Sequence, residues 1–289
     1  MPEAKIGIIG GSGLYEMDGL TDVQDVQVDT PFGKPSDAIM VGKLEGQAIA
    51  FLPRHGRGHR ISPTNLPVRA NIHALKSLGV EWIVSVSSAG SLKDNIHPLD
   101  LVIPDQIIDR TKSRVNSFFE EPDAPVVHVG FADPYCPLLS QIVYEAAAQT
   151  KGAVHKGGTY VVMEGPLFST RAESNLYRSW GASVIGMTTL PEAKLAREAE
   201  ICYTTIACVT DFDCWHETEE SVTVDMIIGN LLRNVDRAKA IVRKAAGALP
   251  IERTCVCATA LRDAIITSHD LIPPEAKERL RLLIGKYVQ

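Results

Sequence analysis

Strand-like apolar runs and helix-period stripes alternate along most of this 289-residue chain, and no Pro/Ser-rich linker separates them. That alternation admits few architectures, because each strand must be covered by the helices that connect it to the next. The reading is one α/β domain with a central mixed sheet flanked by helices, over residues 1–250. Residues 251–289 read as a C-terminal appendage carrying Cys255-Val256-Cys257 and a short amphipathic helix. That helix starts at Pro273-Pro274-Glu275, with Ala276, Leu280 and Leu283 on one face.

Particular runs carry the pattern. Lys5–Ile9 reads as a buried strand broken by Gly10-Gly11-Ser12-Gly13, and β-like pieces follow around Val26-Val28, Ala38-Val41 and Ala48-Leu52. Asn65 to Leu78 has helical spacing and stops at Gly79. Trp82–Val86 is a second buried strand, closed by Ser87-Ser88-Ala89-Gly90-Ser91, and Leu99–Ile108 is strand-like. Further on come a helix over Pro137–Gln149, a strand over Thr159–Met163 and a helix to about Trp180 opened by a capping-box pattern at Ser169-Thr170. Val184-Ile185 reads as a strand end, Leu190–Ala199 as a helix and Ile201–Val209 as a strand. The long helix from about Val222 to Ala246 has Ile227, Leu231, Val235, Ala238 and Val242 on one stripe.

Composition excludes several functions. A net charge of −6 without a basic stripe disfavours nucleic acid as a partner. No run of about 20 apolar residues suggests a membrane span, and the N-terminus lacks the basic and apolar regions of an export signal. Three of the six cysteines lie in or beside apolar segments, as reduced thiols do, so the expected compartment is cytoplasmic. Cys255-Val256-Cys257 could form a strained disulfide or part of a metal site. With no second Cys or His pair nearby in sequence, two thiols in a surface segment is the favoured reading, and no metal is expected.

The chemistry gathers at strand ends, where open α/β sheets hold their ligands. Thr210-Asp211-Phe212-Asp213-Cys214 follows the apolar run Ile206–Val209 and places two acids at i and i+2, on one face of an extended strand. A solvated loop is the plain alternative. Burying two carboxylates costs several kcal/mol unless a partner compensates. An adenine edge would, since N7 needs a donor and the N6 amino group an acceptor. Other strand ends carry Gly10–Gly13, Arg54-His55-Gly56, Ser87–Gly90 and Met187-Thr188-Thr189, the groups a phosphate needs. That polarity suggests phosphate at one end and a base at the other. Gly11-Ser12-Gly13 lacks the third glycine of a dinucleotide fingerprint, so a NAD-dependent oxidoreductase is a weak rival and a plain tight turn an equal one. His55 and His59 suit a metal only on a helix, which Gly56 and Gly58 oppose.

Six ordered segments resemble the trimeric purine nucleoside phosphorylase family, and within it the branch acting on methylthioadenosine. They are Ile8–Gly13, Asp29–Gly33, Arg54–Gly56, Glu164–Glu173, Met187–Glu192 and Thr210–Trp215, within a resemblance covering roughly residues 5 to 246. It implies a twisted mixed sheet flanked by helices, and a homotrimer, or two stacked trimers, with sites near subunit interfaces. It implies phosphorolysis of 5′-methylthioadenosine to adenine and 5-methylthioribose 1-phosphate, with a nucleoside and inorganic phosphate as the small-molecule partners and no cofactor. By position, Ser12, Arg54, His55, Ser87, Ser88 and Thr188 would hold phosphate. Phe168 would pack on the base with Ser169 beside it, Asp211 and Asp213 would face N7 and N6, and Met187 would lie under the ribose. Val222 and Val224 would line the alkylthio pocket, into which His128 would reach from the neighbouring subunit.

The chain also departs from the family pattern. Gly186 stands where some relatives carry Asn, and Ser88-Ala89 differ from the Thr-Ala-Cys of others. The Cys-x-Cys tail resembles that of thermostable members in which such cysteines are oxidised. A 6-oxopurine phosphorylase, which would carry Asn at position 213, and a non-catalytic nucleoside-binding protein are the remaining alternatives.

Overall fold

A computed structural model describes residues 2–11, 14, 19–216 and 224–288. Four strands expected from apolar runs form its spine: β1 (Ile6–Gly10), β4 (Gln47–Pro53), β5 (Trp82–Ser91) and β11 (Cys202–Asp211). They are mutually parallel, β1 lying between β4 and β5, and β5 pairing β11 along almost its whole length. Their carboxyl ends therefore emerge at one edge, carrying Gly10, Arg54, Ser87-Ser88 and Asp211.

The rest of the sheet is antiparallel or mixed. On one side β2 (Thr21–Val26) and β3 (Ile39–Leu44) continue from β4 by antiparallel pairing. On the other, β5 bends away from β1 and its last residues pair antiparallel with β10 (Val184–Gly186), which leads to β9 (Thr159–Met163) and β7 (Gln106–Arg110). A branch runs from β11 to β6 (Leu101–Ile103) and the short β8 (Val154–Lys156). Helices α1 (Val68–Ser77), α2 (Pro137–Ala148), α3 (Arg171–Ser179), α4 (Thr189–Glu198), α5 (Val224–Ala248) and α6 (Pro274–Ile284) complete the α/β architecture. Among the described residues, no helix is long and apolar enough to cross a membrane.

The local signals act as their physics requires. Thr170 accepts from the Glu173 N–H while the Glu173 carboxylate returns to the Thr170 N–H, a complete capping box that starts α3 one residue later. Val235, Ala238 and Val242 of the α5 stripe are buried, as are Ala276, Leu280 and Leu283 of α6.

Three expectations need correction. Ser87–Ser91 does not close the second strand but continues it, because β11 and then β10 satisfy the backbone of this small-residue stretch. Leu99–Ile108 divides into β6 and β7, which belong to different branches of the sheet. Cys255 and Cys257 are not a surface pair. Cys257 is buried, and both sulfurs lie beside those of Cys136 and Cys202. The segment after Leu249 packs Leu261, Ile272, Leu280 and Ile284 into the same apolar core as strands β1, β4 and β5.

Candidate functional site

The two acids sit where β11 leaves the sheet. A bulge at Thr210 shifts the register, so that Asp211 rather than Thr210 stands opposite Gly90 of β5. Asp211 ends the strand. Asp213 reaches its neighbour through a left-handed turn (φ 53°), not through strand periodicity, so the same-face expectation gave the right pairing for the wrong reason. The turn is closed by the Asp213 N–H donating to Asp211 Oδ1 at 2.8 Å, and the Thr210 hydroxyl donates to Oδ2 at 2.7 Å. Gly90 permits the approach, since a Cβ there would lie 3.0 Å from Asp211 Oδ1 and 3.2 Å from Asp213 Cβ.

Both carboxyls are buried. Burial raises the Asp211 pKa against these two hydrogen bonds, and burial reinforced by the Asp211 charge raises Asp213 to about 6. Asn230 and Asn234 of α5 donate to the carbonyls of Thr210 and Val209, fixing the strand end from the helix side.

The other pole lies earlier on β5. Arg54, at the end of β4, is almost wholly enclosed. Its guanidinium donates to both oxygens of Glu192 (2.5 and 3.2 Å), to Ser85 Oγ (2.6 Å) and to the Val86 carbonyl (2.9 Å). Burial disfavours the charge, yet Glu192 holds the Arg54 pKa above its usual value. This bidentate grip aims the guanidinium and leaves one Nη1 hydrogen without a partner among the described residues.

His55 lies beside it with Nδ1 2.8 Å from the Ile61 carbonyl, which can only accept. The tautomer is thereby set, with the proton on Nδ1 and the Nε2 lone pair free to accept. Burial, with the Arg54 charge second, lowers the His55 pKa to about 4, so the ring is neutral at pH 7. Ser87 contacts the Tyr160 hydroxyl at 3.3 Å. Thr188, at the start of α4, is buried with an Oγ1 that has no partner among the described residues. An orphaned buried hydroxyl can donate to an anion.

One strand connects the poles. Val86, held by Arg54, and Gly90, against Asp211, are four residues apart on β5, about 13 Å of extended chain. That is the span of a purine nucleoside with a phosphate at its sugar. β10 runs the other way, so its end at Gly186 comes back beside β5, where a Cβ would lie 3.2 Å from the Ser88 carbonyl.

Ser169 lies beside the acids, its carbonyl accepting from Cys214 Sγ at 3.2 Å, and Phe168 before it is half exposed. Met187 follows Gly186, and its sulfur packs so closely on Gly165 that a Cβ there would approach to 2.6 Å. His128 is exposed on a segment whose backbone donates to Ala264 of the tail, and no contact ties it to these poles among the described residues. Ser12 and Val222 lie outside the described residues, as does the side chain of Val224, which begins α5.

Several important groups escaped sequence reasoning. Glu192 was visible only as the end of the Met187–Glu192 motif, with nothing to link it to Arg54 across 138 positions. Arg114 is buried and gathers the carbonyls of Met163, Glu164, Met187 and Leu190, fixing the loops that carry Met187 and Gly165. Tyr160 occupies the space left by Gly186, where a Cβ would lie 2.0 Å from the phenol oxygen.

Comparison with known proteins follows this geometry. The Phosphorylase superfamily matches residues 5–246. The chain is similar to the S-methyl-5′-thioadenosine phosphorylase of Koribacter versatilis, at 59% identity over 99% of this chain and 97% of that protein. It is 58% identical to the protein of the same name from Geobacter sulfurreducens, over 99% and 100% of the two chains. Its fold superposes with a TM-score of 0.93 on a crystal structure of methylthioadenosine phosphorylase sourced from an antarctic soil metagenomic library, at 50% identity over 98% and 99% of the chains. A methylthioadenosine phosphorylase from Schistosoma mansoni in complex with adenine superposes at 0.81, with 38% identity over 87% and 93%.

Proposed function

The chain belongs to the phosphorylase superfamily, and from that premise we propose that it splits S-methyl-5′-thioadenosine with phosphate into adenine and 5-methylthioribose 1-phosphate. The observation that carries the reading is the polarity along β5: Val86 accepts from the enclosed Arg54 guanidinium, next to which His55 follows in the chain, and Gly90, about 13 Å further along the strand, packs against the buried Asp211 and Asp213 of the β11 end.

Breaking the C1′–N9 bond leaves a cationic sugar and an electron-rich purine. Asp211 shares a proton with N7 as charge develops on the base, and burial, which raises its pKa, favours the protonated form that this sharing needs. Asp213 accepts from the N6 amino group. A 6-oxo purine would set an acceptor against it, and an unpaired buried polar group costs about 1–3 kcal/mol.

At the other pole, hydrogen phosphate offers complementary groups. Its P–OH donates to the His55 Nε2 lone pair, and its anionic oxygens accept from the remaining Arg54 N–H and the Thr188 hydroxyl. Ser12, Ser87 and Ser88 belong to the same phosphate cradle. Their work is placement: an oxyanion held against C1′ on the face opposite the departing base.

Phe168 and Ser169 flank the purine, and Met187 supports the ribose. Val222 and Val224 form the alkylthio pocket, closed by His128 of a neighbouring copy; the exposure of His128 in the single chain supports that role. The assembly is then a homotrimer, working in the cytoplasm, and the chemistry needs neither metal nor organic cofactor. The test is spectrophotometric: adenine release from methylthioadenosine should require phosphate. Equal release without phosphate, or none with it, refutes the reading.

A further inference from the structure

Four cysteines from three distant segments meet at the opposite end of β11 from the acids. Cys136 precedes α2, Cys202 begins β11, and Cys255 and Cys257 flank Val256 in the tail. All four sulfurs lie within 4.8 Å of one another, and Cys136, Cys202 and Cys257 are buried. The backbone brings them together independently of the sulfurs, with the Cys136 N–H donating to Tyr203 O and the Cys202 N–H to Glu81 O.

The sulfur spacing discriminates among the uses of such a cluster. No pair is at bonding distance: all four thiols are free, and Cys202 and Cys255 approach to 3.2 Å, against ~2.05 Å for a disulfide. A tetrahedral zinc ion with Zn–S bonds of ~2.3 Å sets its sulfurs ~3.8 Å apart. Shifts of roughly 1 Å or less, within reach of cysteine rotamers, bring every pair to that value. Four thiols without metal would fill the site as small apolar groups, but nothing in apolar packing calls for four sulfurs mutually adjacent from three segments.

The surroundings suit an anionic metal–thiolate centre. Arg253 donates to the Glu200 carbonyl (2.6 Å) and Lys286 to the Ala258 carbonyl (3.1 Å), one or two residues from the ligand positions, while each also pairs with a carboxylate, Arg253 with Glu81 and Lys286 with Glu200. Nearby cations stabilise thiolates against burial.

We propose that Cys136, Cys202, Cys255 and Cys257 bind one structural zinc ion, which fastens the tail to the first turn of α2 and the first residue of β11. Binding converts the thiols to thiolates and releases their protons to solvent, with no change of oxidation state. All four positions of the ion are filled by protein, so it has no open site for chemistry. Cys202 and Asp211 are nine residues apart along β11, about 30 Å, which separates the zinc from the nucleoside site.

The test uses untagged protein purified without chelator and dialysed against metal-free buffer. Elemental analysis should find one zinc per chain, released in step with mercurial modification of four thiols. Cys255→Ser/Cys257→Ser should lose the metal and melt at a lower temperature. Metal-free protein whose six thiols all titrate in denaturant without prior reduction overturns the proposal. So does metal-free protein whose thiols titrate fully only after reduction, the signature of disulfides, or iron in place of zinc. If the double variant is insoluble, the wild-type stoichiometry decides alone.

Discussion

Asp213→Asn should stabilise the ligand-free protein, and the gain should grow with pH. The folded-state pKa of Asp213 is raised to about 6 from an ordinary 3.8, chiefly by burial. A raised carboxyl pKa means that the stability enjoyed with the proton on is present below pH 3.8 and is lost as pH rises through 6. Two pKa units correspond to about 3 kcal/mol lost in full at pH 8, and to about half of that at pH 5. Asparagine tolerates the left-handed backbone of this residue, so the substitution adds no steric strain. Its amide pays roughly 1–2 kcal/mol of its own for burial, leaving about 1–2 kcal/mol at pH 8, or a Tm rise of roughly 2–3 °C.

The pH dependence is the cleaner quantity, because amide burial does not vary with pH. The stability difference between variant and parent should increase by about 1.4 kcal/mol from pH 5 to pH 8. Scanning calorimetry of both proteins, without phosphate or nucleoside, measures it. A difference that stays flat across that range refutes the claim that Asp213 is ionised at a cost. The same variant should move the preference from adenine nucleosides toward inosine. Unchanged selectivity would remove Asp213 from the N6 position while leaving the electrostatic argument intact.

Asp211→Asn should lower turnover by ~10²–10⁴-fold with little effect on phosphate binding; single-turnover kinetics at saturating phosphate would show it, and an unchanged rate removes Asp211 as the proton donor. Glu192→Gln leaves the enclosed Arg54 charge uncompensated and should cost about 3–5 kcal/mol in denaturant unfolding. An unmoved midpoint would mean the pair does not secure this core. Gly186→Ala places a methyl 2.0 Å from the Tyr160 hydroxyl oxygen and should cost about 1–3 kcal/mol. Tyr160→Phe should recover part of it, and equal losses in both backgrounds would exclude that clash.

The elements legible in the sequence are those whose signal is local. The capping box at Thr170 and Glu173, the apolar runs of β1 and β11 and the stripe of α6 each express a backbone preference or a burial period within a dozen residues. Strand ends rich in Ser, Arg-His and Asp were visible as chemistry for the same reason. The small-residue stretch Ser87–Ser91 misled because its strand state depends on partners more than 90 residues away in the chain.

By itself, then, the sequence determined the class of fold, the sites' residue types and the opposed characters of the two poles, since these follow from hydrophobic period and side-chain chemistry. Only the tertiary structure decided which groups meet. It paired Glu192 with Arg54, set Tyr160 in the space left by Gly186, and drew Cys255 and Cys257 onto Cys136 and Cys202. Such meetings are fixed by strand order and by the hand of each crossover, and no short stretch of the chain encodes either.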